Sequence, residues 1–136
     1  MRTEPPIADG GVEIETFMLD SMPPGLPFPS AVRVGDRIYV SGVIGHQPGA
    51  LKLVEGGLEA EAHQAMAYMR DALALAGSSL DRVVKCTVFF ANMADFAAFN
   101  EIYRGYFTHH LPARSGVEVK GLALGARIEI ECMAIL

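Results

Sequence analysis

Pro112-Ala113-Arg114-Ser115-Gly116-Val117-Glu118-Val119, followed after residues 120–126 by Arg127-Ile128-Glu129-Ile130-Glu131-Cys132-Met133-Ala134-Ile135, decides how this chain folds. Both runs alternate with period two, the pattern of β-strands. In the first, Arg114, Gly116 and Glu118 share one side, and Ser115, Val117 and Val119 share the other. In the second, Ile128, Ile130, Cys132 and Ala134 suit packing against helices. Glu129, Glu131, Met133 and Ile135 occupy the opposite face, which begins charged and turns apolar. Such a face fits a subunit interface better than open solvent. Arg114 stands at a strand mouth beside a glycine that a ligand can approach closely, and its guanidinium is a fork for a carboxylate. The octapeptide alone also fits a solvated rim arginine in a salt bridge.

Working outward, the 136 residues have the size of one ordinary domain, expected to span 1–136 with residues 1–25 forming a poorly defined arm and strand. Just over half the residues are apolar, enough for a real core. The net charge of −5 opposes binding through phosphates or to an anionic membrane surface. Cys86 and Cys132 lie in apolar strand-like runs and read as buried free thiols. The first residues contain no apolar signal-peptide core, and no apolar run reaches the roughly 18 residues of a membrane span. A cytoplasmic protein is therefore expected.

Residues 1–10 read as a loose arm and 12–19 as a first strand. Residues 21–29 hold Pro23, Pro24, Pro27 and Pro29 and must be an ordered loop. A hairpin is predicted from 31–34 and 38–41 around Gly35-Asp36-Arg37, and a short strand at 51–54. Residues 58–76 form a helix with an apolar stripe through Ala62, Ala65, Met66, Met69, Ala72 and Leu73, capped by Gly77. Residues 83–90 are a nearly apolar strand, central in its sheet. A second helix starts between Asn92 and Asp95, buries Phe96, Phe99, Tyr103 and Phe107, and ends at His109-His110 and Leu111-Pro112. The fold class is α+β: a mixed sheet of five to six strands with two helices on one face. The other face is left to build a homo-oligomer.

Candidate chemistry centres on Arg114 and Glu129. On spacing alone they favour a plain ion pair between neighbouring strands. The alternative is Arg114 holding a substrate carboxylate while Glu129 orients a water. Lys85 either reaches toward the same pocket or simply runs to the sheet end. His109 and His110 diverge and have no partner at ligand spacing, so no metal site is expected. His46 and His63 read as surface residues, and Glu59 and Glu61 as a solvated helix start. There is no Walker loop and no dinucleotide fingerprint.

Three blocks now point to a known family. Pro27-Phe28-Pro29-Ser30-Ala31-Val32-Arg33-Val34-Gly35-Asp36 leads into Tyr39-Val40-Ser41-Gly42. Val83-Val84-Lys85-Cys86-Thr87-Val88-Phe89 precedes Asp95-Phe96-Ala97-Ala98-Phe99-Asn100-Glu101-Ile102-Tyr103. Pro112-Ala113-Arg114-Ser115 precedes Ile128-Glu129-Ile130-Glu131. In this order and at these separations they resemble the reactive intermediate deaminase (Rid) family, also called YjgF or L-PSP, over roughly residues 26–136.

The resemblance implies a chorismate-mutase-like fold and a homotrimer with a cleft between each pair of subunits. It implies hydrolysis of enamines and imines, such as 2-aminoacrylate or 2-iminobutanoate, to 2-keto acids and ammonia, without a cofactor. The family's carboxylate-binding arginine falls on Arg114 and its water-positioning glutamate on Glu129. Ser41 and Asn100 match its serine and asparagine. Phe28 stands where a tyrosine is frequent, and keeps the ring without the hydroxyl. Gly116 stands where a cysteine is frequent. The loss of the tyrosine hydroxyl leaves a second function in view, binding of small carboxylates without turnover or hydrolysis of a different small acid. The ribonuclease or translation-inhibitor label carried by some relatives is opposed by the acidic charge and the lack of a basic, aromatic-interleaved patch.

Overall fold

The computed structural model describes residues 2–3, 7–9 and 12–136. Its strands are β1 (Arg2–Thr3), β2 (Ile7–Asp9), β3 (Val12–Met18), β4 (Ala31–Val34), β5 (Arg37–Val43), β6 (Val83–Phe90), β7 (Ala113–Glu118) and β8 (Ile128–Ile135). Helix α1 (Gly57–Leu75) joins β5 to β6, and α2 (Phe96–Arg104) joins β6 to β7. All strands belong to one sheet, in the order β1-β3-β4-β5-β8-β6-β7, with β2 also paired to β3. Pairing is antiparallel except between β6 and β7. The last strand is inserted between β5 and β6, so the end of the chain occupies the middle of the sheet.

Both helices lie on one face. The α1 stripe of Ala62, Ala65, Met66, Met69, Ala72 and Leu73 is fully buried. It packs on Ile38, Val88, Ile128 and Ile130, which are equally inaccessible. Its alanines let the helix approach the sheet closely, while Met66 and Met69 fill the remaining space. Gly77 takes the left-handed conformation, φ 93°, that ends α1. Cys86 and Cys132 are free, buried and directly opposite each other on β6 and β8. Burial raises both thiols above their ordinary range. The opposite sheet face stays bare, with Tyr39, Val84, Val117, Met133 and Ile135 all exposed there.

Several expectations need correction. Residues 2–3 and 7–9 are strands paired to β3 rather than a loose arm, because the edge of β3 offers them unpaired backbone groups; residues 1, 4–6, 10 and 11 of that arm lie outside the described residues. No strand forms at 51–54; a single bridge joins His46 to Leu53, since Gly45 and Pro48 interrupt the ladder. Helix α2 ends at Arg104, where Gly105 caps it, before the expected stop. Phe96 is partly exposed, so Phe99 and Tyr103 carry the buried stripe of α2. β6 is internal but lies next to the edge strand β7.

Candidate active site

Arg114 sits on β7, on the face that carries the helices, and is half-buried against α2. Its Nη2 donates to Asn100 Oδ1 at 2.5 Å. Its Cζ lies 4.8 Å from the Tyr103 ring centroid, 5.4 Å from that of Phe96 and 5.8 Å from that of Phe99. Three aromatic side chains at helical spacing on α2 thus cradle one guanidinium. Among the described residues no carboxylate pairs with it. A partly desolvated cation without a counter-ion, beside a cavity of about 210 Å³ lined by Asn100, Tyr103, Arg104, Leu111 and Pro112, suits an anionic ligand. Burial, with the Cys86 thiol alongside, pushes the Tyr103 hydroxyl far above its ordinary value, so this wall stays neutral.

Glu129 sits on β8 and faces the bare side of the sheet, with its carboxylate against Gly42. The register between β5 and β8 shifts between Val40 and Val43, and this bulge turns Gly42 toward Glu129. A side chain at position 42 would occupy the carboxylate's place. Burial first, and the neighbouring Glu131 second, raise the Glu129 carboxyl above its ordinary value. The cavity beside it, about 170 Å³, is lined by Phe28, Val43, Ile44, His46, Leu51 and Leu124 among others. Ser41 holds this end together: its hydroxyl donates to Pro29 O at 2.7 Å, fixing the loop that carries Phe28.

The strand order separates the two halves. Glu129 is opposite Phe89 on β6, and Arg114 is opposite Cys86 on the far side of β6. Arg114 and Glu129 therefore project from opposite faces and not from neighbouring strands, and the ion pair favoured by spacing does not form. Arg114, Asn100 and Gly116 lie together at one end; Phe28, Ser41 and Glu129 lie together at another. Gly116 is half-buried, and a Cβ there would come within 3.2 Å of the Phe90 ring and 3.5 Å of Phe96. The missing side chain makes room for the aromatic cradle of Arg114. Lys85 bonds Ser115 Oγ at 3.0 Å on the bare face, away from Glu129.

Two residues read as solvated are buried. His46 is 5 % exposed and stacks on Tyr68, with ring centroids 4.5 Å apart. Its Nδ1 lies 2.7 Å from Gln47 O, so that nitrogen donates. The Tyr68 hydroxyl donates to His46 O at 2.8 Å, and burial pushes its pKa to about 12. Glu61 is also buried, and its Oε1 accepts the Arg127 N–H at 2.8 Å. The Arg127 side chain in turn grips Asp95 with Nε at 3.1 Å and Nη2 at 2.9 Å. Arg127 thereby ties the start of β8, just before Glu129, to α1 and to the entry of α2. Neither burial is visible in sequence, because loops 44–56 and 119–127 create the shelter. Leu124 was likewise unmarked; its cue is the neighbouring Gly125, which signals a turn.

Among the described residues no cluster suits a metal ion, and no helix is long and apolar enough to cross a membrane. Residues 18–136 match the family profile described as Endoribonuclease L-PSP. A human protein named 2-iminobutanoate/2-iminopropanoate deaminase is 46 % identical over 80 % of this chain and 80 % of its own length. The yeast protein YEO7 has a crystal structure that superimposes with a TM-score of 0.84 at 38 % identity, over 90 % of this chain and 98 % of that one. The E. coli YjgF gene product superimposes with a TM-score of 0.80 at 33 % identity, over 88 % of this chain and 97 % of that one. A sheet whose final strand lies at its middle, two helices on one face and the blocks around Arg114 and Glu129 thus agree with the sequence match: the chain belongs to the L-PSP family, also known as the Rid or YjgF family.

Proposed function

We propose that the protein hydrolyses 2-imino acids to 2-keto acids and ammonia in a site shared between two copies of the chain. The observation that carries this reading is the separation of Arg114 and Glu129 onto opposite sheet faces, each already built into its own half-site. A second copy docked on the bare face would bring the Arg114 half of one subunit to the Glu129 half of the next. The exposed Tyr39, Met133 and Ile135 supply apolar area for that contact. The assembly is a homotrimer with three equivalent clefts, as the family resemblance implies. The deaminase name of the human relative supports the activity.

In this account Arg114 binds the substrate carboxylate with the N–H groups that Asn100 leaves free, and the aromatic cradle fixes the plane of the fork. Glu129 of the partner subunit takes a proton from a water as its oxygen attacks the C=N carbon. The imine enters protonated on nitrogen, as an iminium, so the attack gives a neutral carbinolamine. Glu129 then hands its proton to the departing nitrogen, the C–N bond breaks to release ammonia, and the carbinolamine hydroxyl gives its proton to solvent as the keto carbonyl forms. A carboxyl whose pKa is raised by burial is better matched to both transfers than an ordinary one. The chemistry asks mainly for alignment, since the imine carbon is already electrophilic. Phe28 closes over the substrate without contributing a hydroxyl. That missing donor favours a second reading, the binding of small carboxylates without turnover. The endoribonuclease in the family description is opposed by a net charge of −5.

The test generates an imine in situ with a pyridoxal-phosphate dehydratase and traps the survivor with semicarbazide. The protein should shorten the imine's lifetime, and Arg114→Ala should not. Equal lifetimes with and without wild type would replace hydrolysis by the binding reading.

A further inference from the structure

The cavity beside Glu129 is larger and more apolar than a methyl or ethyl group needs. Its volume is about 170 Å³. An apolar cavity of about 150 Å³ is enough to hold a benzene molecule. Its walls include Met22, Leu26, Phe28, Val43, Leu51 and Leu124, while Glu129 is its one charged wall. Phe28, Leu51 and Leu124 are 44 %, 67 % and 47 % exposed, so these side chains stand uncovered at the rim.

Leu124 is the strongest sign. Among the described residues it alone, apart from glycines, has positive φ, at φ 59° and ψ 14°. The left-handed region is unfavourable for leucine, and asparagine or glycine would relieve it. Residues 123–125 spend that strain on placing an apolar side chain at the cavity rim.

Resting on the deaminase reading, we infer that the cavity selects 2-imino acids with a bulky apolar side chain, branched or aromatic, and that Leu124 is a specificity-determining wall. The carboxylate goes to Arg114 of one subunit. The side chain enters between Phe28, Leu51 and Leu124 of the other, and Glu129 stays next to the imine carbon at the cavity's polar wall. A methyl group would leave most of the wall facing water that has few polar partners there.

The test compares 2-imino-4-methylpentanoate with 2-iminopropanoate, made from leucine and alanine by an amino-acid oxidase, with semicarbazide as the trap. Wild type should favour the branched imine in kcat/KM by roughly tenfold or more, the scale of apolar side-chain discrimination. Leu124→Asn should reduce that ratio severalfold while its thermal midpoint stays level or rises, because the strain is relieved. Binding of 4-methyl-2-oxopentanoate and pyruvate is measured in parallel by calorimetry. Tighter binding of the branched acid without hydrolysis of either imine would sink the deaminase reading and leave the pocket assignment standing. Equal ratios for wild type and Leu124→Asn, a preference for the small imine, or equal affinity for the two keto acids would overturn the inference.

Discussion

The two ends of this molecule are built differently, and in the proposed account they recognise different things. The Arg114 end is a fixed charge in an aromatic frame, built on a helix and a strand. The Glu129 end is a partly desolvated carboxyl in an apolar chamber walled largely by loops. The first can hold an anion whatever its side chain. The second can discriminate side chains and move protons, but offers nothing to an anion. On the proposed reading neither is a complete site, since the sheet lies between them within one chain.

The largest expected effect is at the charged end. Arg114→Ala should lower kcat/KM for imine hydrolysis by about two to three orders of magnitude, the scale of losing a key oriented donor. Arg114→Lys should recover little of it, since a point charge lacks the planar fork. Recovery to near wild type in steady-state kinetics would show that charge alone suffices there.

At the other end, Gly42→Ala should push the Glu129 carboxylate aside without removing it. We expect a fall in kcat of roughly tenfold or more, the scale of misplacing a catalytic group, with little change in keto-acid affinity. If kcat holds, Glu129 does not act from the position it occupies here.

The pH profile sharpens the contrast. Glu129 must be ionised to take a proton from water. The acidic limb of kcat/KM should therefore fall above the ordinary carboxylate range, following the raised Glu129 pKa. Stability carries the opposite sign. Between the ordinary and the raised value the folded protein binds the extra proton, so wild type loses stability as pH rises through that window. Glu129→Gln should abolish that loss, by an amount small enough that differential scanning at several pH values is needed to see it. A profile that Glu129→Gln leaves unchanged would assign the raised pKa no role.

These contrasts were only partly legible in the sequence. Period-two alternation located β8 and put Glu129 on the bare face, and helical spacing found the α1 stripe. Arg114 stood out because a guanidinium flanked by proline and glycine at a strand mouth is chemically conspicuous. Spacing could not reveal that β8 enters between β5 and β6, and so it allowed an ion pair that the strand order forbids. His46 and Glu61 looked solvated because polar residues usually are; their burial depends on loops that fold over them and on partners 22 and 66 residues away. Gly116 looked open because a sequence cannot show that Phe90 and Phe96 already fill its side-chain space.

The central claim is that one site takes Arg114 from one copy and Glu129 from another, and complementation tests it most directly. Arg114→Ala and Glu129→Gln chains, each nearly inactive alone, would be co-expressed and purified together. In a closed ring of three, each mixed assembly contains one cleft built from two intact halves. Random mixing should therefore restore about a quarter of the wild-type activity. Activity no higher than either parent, in a preparation shown by mass spectrometry to contain mixed assemblies, would contradict the shared site.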